Sequence, residues 1–209
     1  DEAVATAMSR IESESKRMGQ LVEDLLTLAR IDERRESKLA PFDLFNLAVD
    51  ASNDAYATAP DRAVSLVGLN EEVAPTSATV LGDESRLRQV VANLLTNAMR
   101  YTPDGSPLEI AVGVREEVPG FPLSVLEVRD HGPGIHGEDR ERVFERFYRT
   151  DASRSRETGG TGLGLSIVAA IIEQHDGRIH IEETDGGGAT FVISLPFYPP
   201  PVSDDQLMK

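Results

Sequence analysis

The 209-residue chain contains no cysteine, which excludes disulfide bonds, cysteine zinc sites and thiol catalysis. No apolar run approaches the roughly 18 residues of a membrane-spanning helix, so we expect a soluble piece that makes no direct membrane contact. Basic residues are also few, with 21 Lys and Arg against 36 Asp and Glu and a formal net charge of −15. This charge repels nucleic acid and anionic lipid, so we expect no nucleic-acid partner and only local phosphate binding.

The chain begins with neither Met nor a signal peptide, and we interpret it as a piece of a longer protein. Its 40% hydrophobic content is typical of a globular protein, and its length allows one domain plus a smaller appendage. The composition changes along the chain predict a helix over 1–34, a linker at 35–40, a domain over 41–196 and a flexible tail at 197–209.

The first segment has the apolar spacing of a coiled coil or helical bundle, alternating four and three residues. This seam consists of Val4, Met8, Ile11, Ser15, Met18, Val22, Leu25 and Ala29. One such helix cannot bury its apolar stripe alone, so it either folds back on its own domain or joins a bundle between chains. The polar run 33–38 favours the bundle, with self-association through residues 4–29, because it leaves the helix free to point away.

The remaining sequence mixes helical and strand patterns. Helices are predicted at 42–59, from the N-cap Asp83 to Tyr101, and at 162–175. Strands are predicted at 63–69, 79–81, 108–114, 124–128, 178–183 and 189–195. This order predicts an α+β fold, a two-layer sandwich with helices on one face of an antiparallel or mixed sheet and one long bundle helix before it.

A glycine-rich run leads directly into the last predicted helix, at Gly160, Thr161, Gly162, Leu163 and Gly164. Glycines let backbone N–H groups crowd around an anion at the positive end of a helix. Alone, such a run is a weak indication of phosphate binding.

The stretch 135–159 is polar and too long for an ordinary connection, which indicates either a lid or a plain solvated loop. Its six arginines are balanced by six acids, but from Arg149 to Arg156 three arginines face one aspartate. This local positive charge would suit a triphosphate, and we expect the lid to be mobile without nucleotide.

Five motifs occur in a fixed order, at 93–101, 130–134, 144–149, 160–164 and 186–190. With them the chain resembles the catalytic half of a bacterial sensor histidine kinase, of the GHKL superfamily of gyrase, Hsp90, MutL and histidine kinases. The resemblance implies a Bergerat-type ATP-binding fold with ATP and Mg²⁺, preceded by the second helix of a dimerisation hairpin. It also implies a response-regulator receiver domain as partner, and a cytoplasmic location within a protein held at the inner or plasma membrane.

Asn93 and Asn97 lie one helical turn apart, so both amides project from one face of a helix otherwise built for burial. They are either surface or capping residues or have a polar task. The resemblance implies that Asn97 supplies an oxygen to Mg²⁺, that Arg100 reaches the phosphates and that Tyr101 lies against the base.

Asp130 ends an apolar strand where Gly132 and Gly134 let the backbone turn. It either closes an Asx-turn or, as the resemblance implies, accepts a hydrogen bond from the exocyclic amine of adenine. Thr190 would support the same edge of the base, unless it is an ordinary strand threonine.

Hydrolytic members of the superfamily carry a water-activating glutamate where this chain has Asn93, whose amide has no useful basicity. A neutral imidazole acceptor needs no such base, so Asn93 favours phosphotransfer to histidine over hydrolysis. The four histidines 131, 136, 175 and 180 lack the acceptor context, so we expect the acceptor helix to be missing. The alternatives are a GHKL-type ATPase or chaperone and a degenerate nucleotide-binding interaction module.

Overall fold

The computed structural model describes residues 2–32, 38–70, 74–150 and 160–199. Within them, the helices are α1 Glu2–Asp32, α2 Leu44–Thr58, α3 Glu84–Tyr101, α4 Asp139–Arg142 and α5 Gly164–Gln174. The strands are β1 Ala40–Asp43, β2 Val64–Val67, β3 Thr79–Gly82, β4 Leu108–Val118, β5 Phe121–Asp130, β6 Arg178–Glu183 and β7 Ala189–Pro196. None of these helices is long and apolar enough to cross a bilayer.

The main sheet has five strands in the order β2-β4-β5-β7-β6. Strand β2 pairs with β4 in parallel, and the other pairs are antiparallel. Helices α2, α3 and α5 pack with this sheet around a single core, in which Leu94, Ile110, Ile167 and Ile193 are at most 2% exposed. The predicted α+β sandwich with a mixed sheet is therefore confirmed. A separate two-stranded pair, β1-β3, lies outside the main sheet.

Two aspartates fix where helices begin. Asp83 accepts hydrogen bonds from the backbone of Ser85 and Arg86, which confirms the predicted N-cap of α3. Asp43 caps α2 in the same way and also accepts from the backbone N–H of Ala78. For both carboxyls burial raises the pKa, but the hydrogen bonds outweigh it and the net pKa is lowered. The cap explains why residues 42 and 43, predicted as helix, form the end of β1 instead.

The apolar stripe of α1 has two different environments. Val4, Met8 and Ile11 are 62–64% exposed, whereas Leu28 and Ile31 are 3% and 4% exposed and belong to the domain core. The Gln174 side chain of α5 also donates to the carbonyl oxygen of Ile31, at 2.6 Å. The last turns of α1 therefore fold back on the domain, and the expectation that the polar linker leaves the whole helix free is wrong for them. Most of that linker, 33–37, lies outside the described residues.

Candidate functional site

A cleft of about 1200 Å³ lies between α3, the ends of β5 and β7, the segment 133–150, the glycine loop 160–164 and α1. Most of the site residues that the sequence predicts line this one cleft. They are Asn93, Asn97, Arg100, Tyr101, Asp130, Gly134, Arg149, Gly160, Thr161, Gly162 and Gly164. Residues separated by 71 positions in sequence, Asn93 and Gly164, therefore share one cavity.

Helix α3 forms the polar wall of the cleft. Its apolar face is buried through Leu94 and Ala98, which turns the half-buried amides of Asn93 and Asn97 to the cleft side. The Nδ2 of Asn93 donates to the carbonyl oxygen of Gly164 at 3.4 Å, linking α3 to the start of α5. An amide bound in this way connects two elements and cannot act as a base.

Asp130 is a buried carboxylate, 7% exposed, at the end of β5. Its Oδ1 accepts from the backbone N–H groups of Gly132, at 2.9 Å, and Ala189, at 3.2 Å. Burial raises the pKa of the carboxyl, against the opposing effects of these two N–H groups and of His131. Within the described residues both hydrogen bonds end on Oδ1, so Oδ2 is the oxygen available to a ligand.

The glycines of the last motif, 186–190, allow β5 and β7 to approach each other closely here. A Cβ on Gly188 would lie 1.9 Å from the carbonyl oxygen of Asp130, and the residue has a φ of +124°. Only glycine can occupy this position without moving the backbone. Gly188 therefore keeps the Asp130 carboxylate at the cleft wall.

Three predicted residues are not on the cleft surface. The Thr190 hydroxyl lies 2.9 Å from that of Thr184, while its neighbours Ala189 and Phe191 line the cleft. Successive strand residues point to opposite faces, so the predicted position of Thr190 at the adenine edge does not match the structure. Leu163 is fully buried as the N-cap residue of α5. Gly132 is not among the residues that line the cleft, and a Cβ on it would lie 3.0 Å from the Thr102 side chain.

The glycine loop is held by its neighbours. Gly162 has a φ of +75°, and its carbonyl oxygen accepts from the backbone N–H of Phe147 at 2.9 Å. This turn explains why α5 starts at Gly164 and not at the predicted 162. A Cβ on Gly160 would lie 2.5 Å from the Nη1 of Arg100, so the guanidinium packs directly on the loop. A helix start and a guanidinium together favour an anionic ligand.

The described part of the predicted lid, 135–150, is folded around Tyr148. Its hydroxyl donates to Asp139, and the Arg142 guanidinium lies 4.4 Å from the centre of its ring. All three residues line the cleft, a role that the sequence analysis missed. Residues 151–159, with Arg154 and Arg156, lie outside the described residues, so the expected mobility there stays a prediction.

Helix α1 also contributes to the cleft, which its sequence pattern did not predict. One polar face of the helix lines the cleft through Ser13, Glu14, Lys16, Arg17, Gln20 and Asp24. Asp24 accepts a hydrogen bond from the Thr161 hydroxyl, at 2.7 Å. The only sequence signal for this face is the helical spacing of 13, 17, 20 and 24 opposite the apolar seam, which equally fits a solvated surface.

Comparisons with known proteins agree with this geometry. A family model described as "Histidine kinase-, DNA gyrase B-, and HSP90-like ATPase" matches residues 82–199. The probable sensor histidine kinase TcrY of Mycobacterium tuberculosis is 44% identical over 93% of this chain and 39% of its own length. The sensor-like histidine kinase SenX3 of Mycolicibacterium smegmatis is 37% identical over 91% of this chain and 48% of its own. The chain thus spans less than half of each of these relatives.

Solved structures share the fold. Full-length ShkA in complex with AMPPNP aligns with a TM-score of 0.72 and 27% identity, over 95% of this chain and 39% of that one. The mycobacterial sensor histidine kinase MprB aligns with a TM-score of 0.62 and 26% identity, over 78% of this chain and 99% of that one.

Proposed function

This chain belongs to the family of histidine kinase-, DNA gyrase B- and HSP90-like ATPases, and on that premise we propose that it is the ATP-binding catalytic part of a sensor histidine kinase. In this proposal it directs the γ-phosphoryl group of Mg-ATP to a histidine on a dimerisation helix outside these 209 residues. A receiver-domain aspartate of a response regulator then takes the phosphoryl group. The intact protein would be anchored at the inner or plasma membrane, with this part in the cytoplasm.

The observation that carries the proposal is the buried carboxylate of Asp130 in the same cleft that the glycine loop lines. Its Oδ2 would accept a hydrogen bond from the exocyclic amine of adenine. Guanine has a carbonyl oxygen at that position and could not donate this bond. Tyr101 lines the same cleft and would lie against the base. Arg100 and the N–H groups of residues 160–164 would then receive the phosphates.

The donor set fits one magnesium ion that is shared with the nucleotide. The described residues contain no group of three or more acidic or histidine side chains that could hold a metal alone. The amide oxygen of Asn97 is a hard ligand in the cleft, and Mg²⁺ commonly takes one or two protein oxygens together with phosphates and water. When bound, the ion would neutralise phosphate charge during transfer.

The histidines of this chain are poor acceptors in their present places. The Nε2 of His175 accepts from the backbone N–H of Asp83 at 3.0 Å, and its Nδ1 lies 2.7 Å from the carbonyl oxygen of Ile171. His180 pairs with Glu182, and His131 lies 3.7 Å from Glu109. His136 lines the cleft, with its Nε2 at 3.0 Å from the carbonyl oxygen of Pro133. These contacts support an acceptor supplied from outside, and the exposed stripe of α1 is the surface through which we propose self-association.

A titration of the 209-residue chain with a fluorescent ATP analogue, with and without Mg²⁺, tests the proposal. We expect saturable binding that Mg²⁺ strengthens and that ATP reverses better than GTP. The ATPase alternative predicts steady-state hydrolysis without an acceptor, whereas Asn93 predicts very little. Absence of nucleotide binding would refute the proposal, and rapid acceptor-free turnover would favour the ATPase.

A further inference from the structure

Asp24 on α1 is a carboxylate held against the glycine loop, 160–164, of the proposed nucleotide cleft. Its Oδ2 accepts from the hydroxyl of Thr161, a residue of the glycine loop that lies 137 positions later. Its Oδ1 accepts from the Nε2 of Gln20, one turn earlier on the same helix, at 2.8 Å. Both carboxylate oxygens are therefore oriented, and the side chain is half-buried.

The helix that carries Asp24 is fixed to the domain just beyond this point. Leu28 and Ile31 are buried in the core, and Gln174 holds the carbonyl oxygen of Ile31. These contacts place Asp24 one turn from a packed anchor. The position of Asp24 at Thr161 is thus fixed by the packing of α1 on the domain.

We propose that Asp24 is an internal competitor of the nucleotide's phosphate groups. The carboxylate accepts the hydrogen bond of the Thr161 hydroxyl, just as a phosphate oxygen could. The other donors of the same loop, its backbone N–H groups, would bind phosphate. A phosphate group bound to this loop would lie close to the negative charge of the Asp24 carboxylate, and like charges in a half-buried cleft repel strongly. Nucleotide binding and the Asp24–Thr161 contact therefore oppose each other. This inference rests on the proposed function, because it requires phosphates at residues 160–164.

The opposition has a regulatory consequence through thermodynamic linkage. If the docked end of α1 weakens nucleotide binding, bound nucleotide must weaken the docking of α1 by the same factor. Whatever pulls α1 away from the glycine loop then raises nucleotide affinity. The helix that carries the exposed apolar stripe would thereby be coupled to the cleft through one carboxylate.

The test compares Asp24→Asn with Glu23→Gln, a matched loss of one negative charge at the neighbouring, exposed position. The ligands are Mg-AMPPNP, measured by calorimetry, and adenosine, measured by NMR titration. We expect Asp24→Asn to bind Mg-AMPPNP about 3- to 10-fold more tightly than wild type, since one charged hydrogen bond and one repulsion are relieved. Glu23→Gln should change this affinity less than about twofold, because an exposed charge is screened. Adenosine lacks phosphates, so its affinity should be the same in all three proteins.

Several outcomes would overturn the inference while leaving nucleotide binding itself intact. Equal Mg-AMPPNP affinities for Asp24→Asn and Glu23→Gln would show that Asp24 does not compete. Weaker binding by Asp24→Asn would make the carboxylate a helper of the nucleotide. A parallel gain for adenosine would place the effect away from the phosphates. If wild type and both variants bind no AMPPNP although they remain folded by circular dichroism, the proposed function fails, and this inference fails with it.

Discussion

Replacing Asp130 by asparagine changes one atom of the cleft wall and leaves the surrounding fold largely as it is. Asparagine keeps an Oδ1 that can accept from the backbone of Gly132 and Ala189, as the carboxylate does. The change replaces Oδ2, an acceptor, by an NH₂ group, which is a donor. The substitution therefore separates recognition of the base from support of the backbone.

The expected effect on ATP affinity follows from the loss of one hydrogen bond to a charged acceptor. Such a bond contributes about 1.5–3 kcal/mol, which corresponds to a loss of about 10- to 150-fold in affinity. The new amide would also face the adenine amine donor to donor. Guanine has a carbonyl oxygen at that position, so GTP should lose less affinity than ATP, and the ratio of their affinities should fall.

The stability of the ligand-free protein should change in the opposite direction. Burial raises the pKa of Asp130, so the folded state holds the proton more tightly than the unfolded state. Stability from this group is full at pH values below the unfolded pKa near 3.8 and is lost as the pH rises through the folded pKa. The neutral asparagine has no such loss. At pH 7 the ligand-free variant should melt at the same temperature as wild type or higher, and this advantage should vanish in acid.

A fluorescence titration with ATP and GTP, together with thermal melts between pH 3 and 8, measures both effects. Asp176→Asn is the matched control, because Asp176 is exposed and its φ of +55° suits asparagine equally well. The control should change neither affinity nor melting temperature. ATP affinity equal to that of wild type in Asp130→Asn would refute the adenine assignment, and a lower melting temperature at pH 7 would refute the argument from burial.

Three further substitutions test the metal ligand, a helix end and a glycine. Asn97→Ala should remove most of the Mg²⁺ dependence of nucleotide affinity and change affinity in EDTA by less than about twofold; an unchanged Mg²⁺ effect would contradict the ligand assignment. Arg62 is 7% exposed and donates to the carbonyl oxygen of Met99 near the end of α3. In urea unfolding, Arg62→Met should therefore lower the free energy of unfolding by about 2–4 kcal/mol. The control Arg88→Met should lower it by less than about 1 kcal/mol, because the ion-paired Arg88 side chain is 39% exposed. By the same assay, Gly188→Ala should lose more than about 3 kcal/mol of unfolding free energy or fail to fold. The control Gly186→Ala should lose about 1 kcal/mol, because Gly186 has an unfavourable φ but no close neighbour. Equal losses would contradict the contact between Gly188 and Asp130.

The parts of the fold that the sequence predicts well are those where local signals agree. Helix α3 has an N-cap aspartate followed by apolar residues at helical spacing, and its predicted start and buried face are both observed. Strand β1 was missed because four residues carry little periodicity, and its pairing with β3 depends on a contact 40 positions away. Strand β5 extends to Phe121 and Asp130, beyond its predicted apolar middle.

The site was predictable as a set of motifs but not in its details. The order of the five motifs identifies the cleft residues, yet a motif does not say which face of a strand its members occupy. The alternation of Ala189, Thr190 and Phe191 already placed Thr190 on the opposite face from its neighbours. The contribution of α1 had no local signal, because a polar helical face looks the same whether it meets water or a cleft. Only the packing of Leu28 and Ile31 on the domain decides between them.

Because α1 is packed on the domain at one end and exposed at the other, a tilt of the helix would move its two ends by different distances. Val4 lies 24 residues before Leu28 on one continuous helix, about 36 Å away at 1.5 Å per residue. With the pivot at the buried end, a tilt of about 10° would carry the far tip through about 6 Å. The same tilt would move Asp24, one turn from the pivot, by only about 1 Å. A large movement of the exposed end would thereby become a displacement beside the glycine loop that is just large enough to make or break one hydrogen bond.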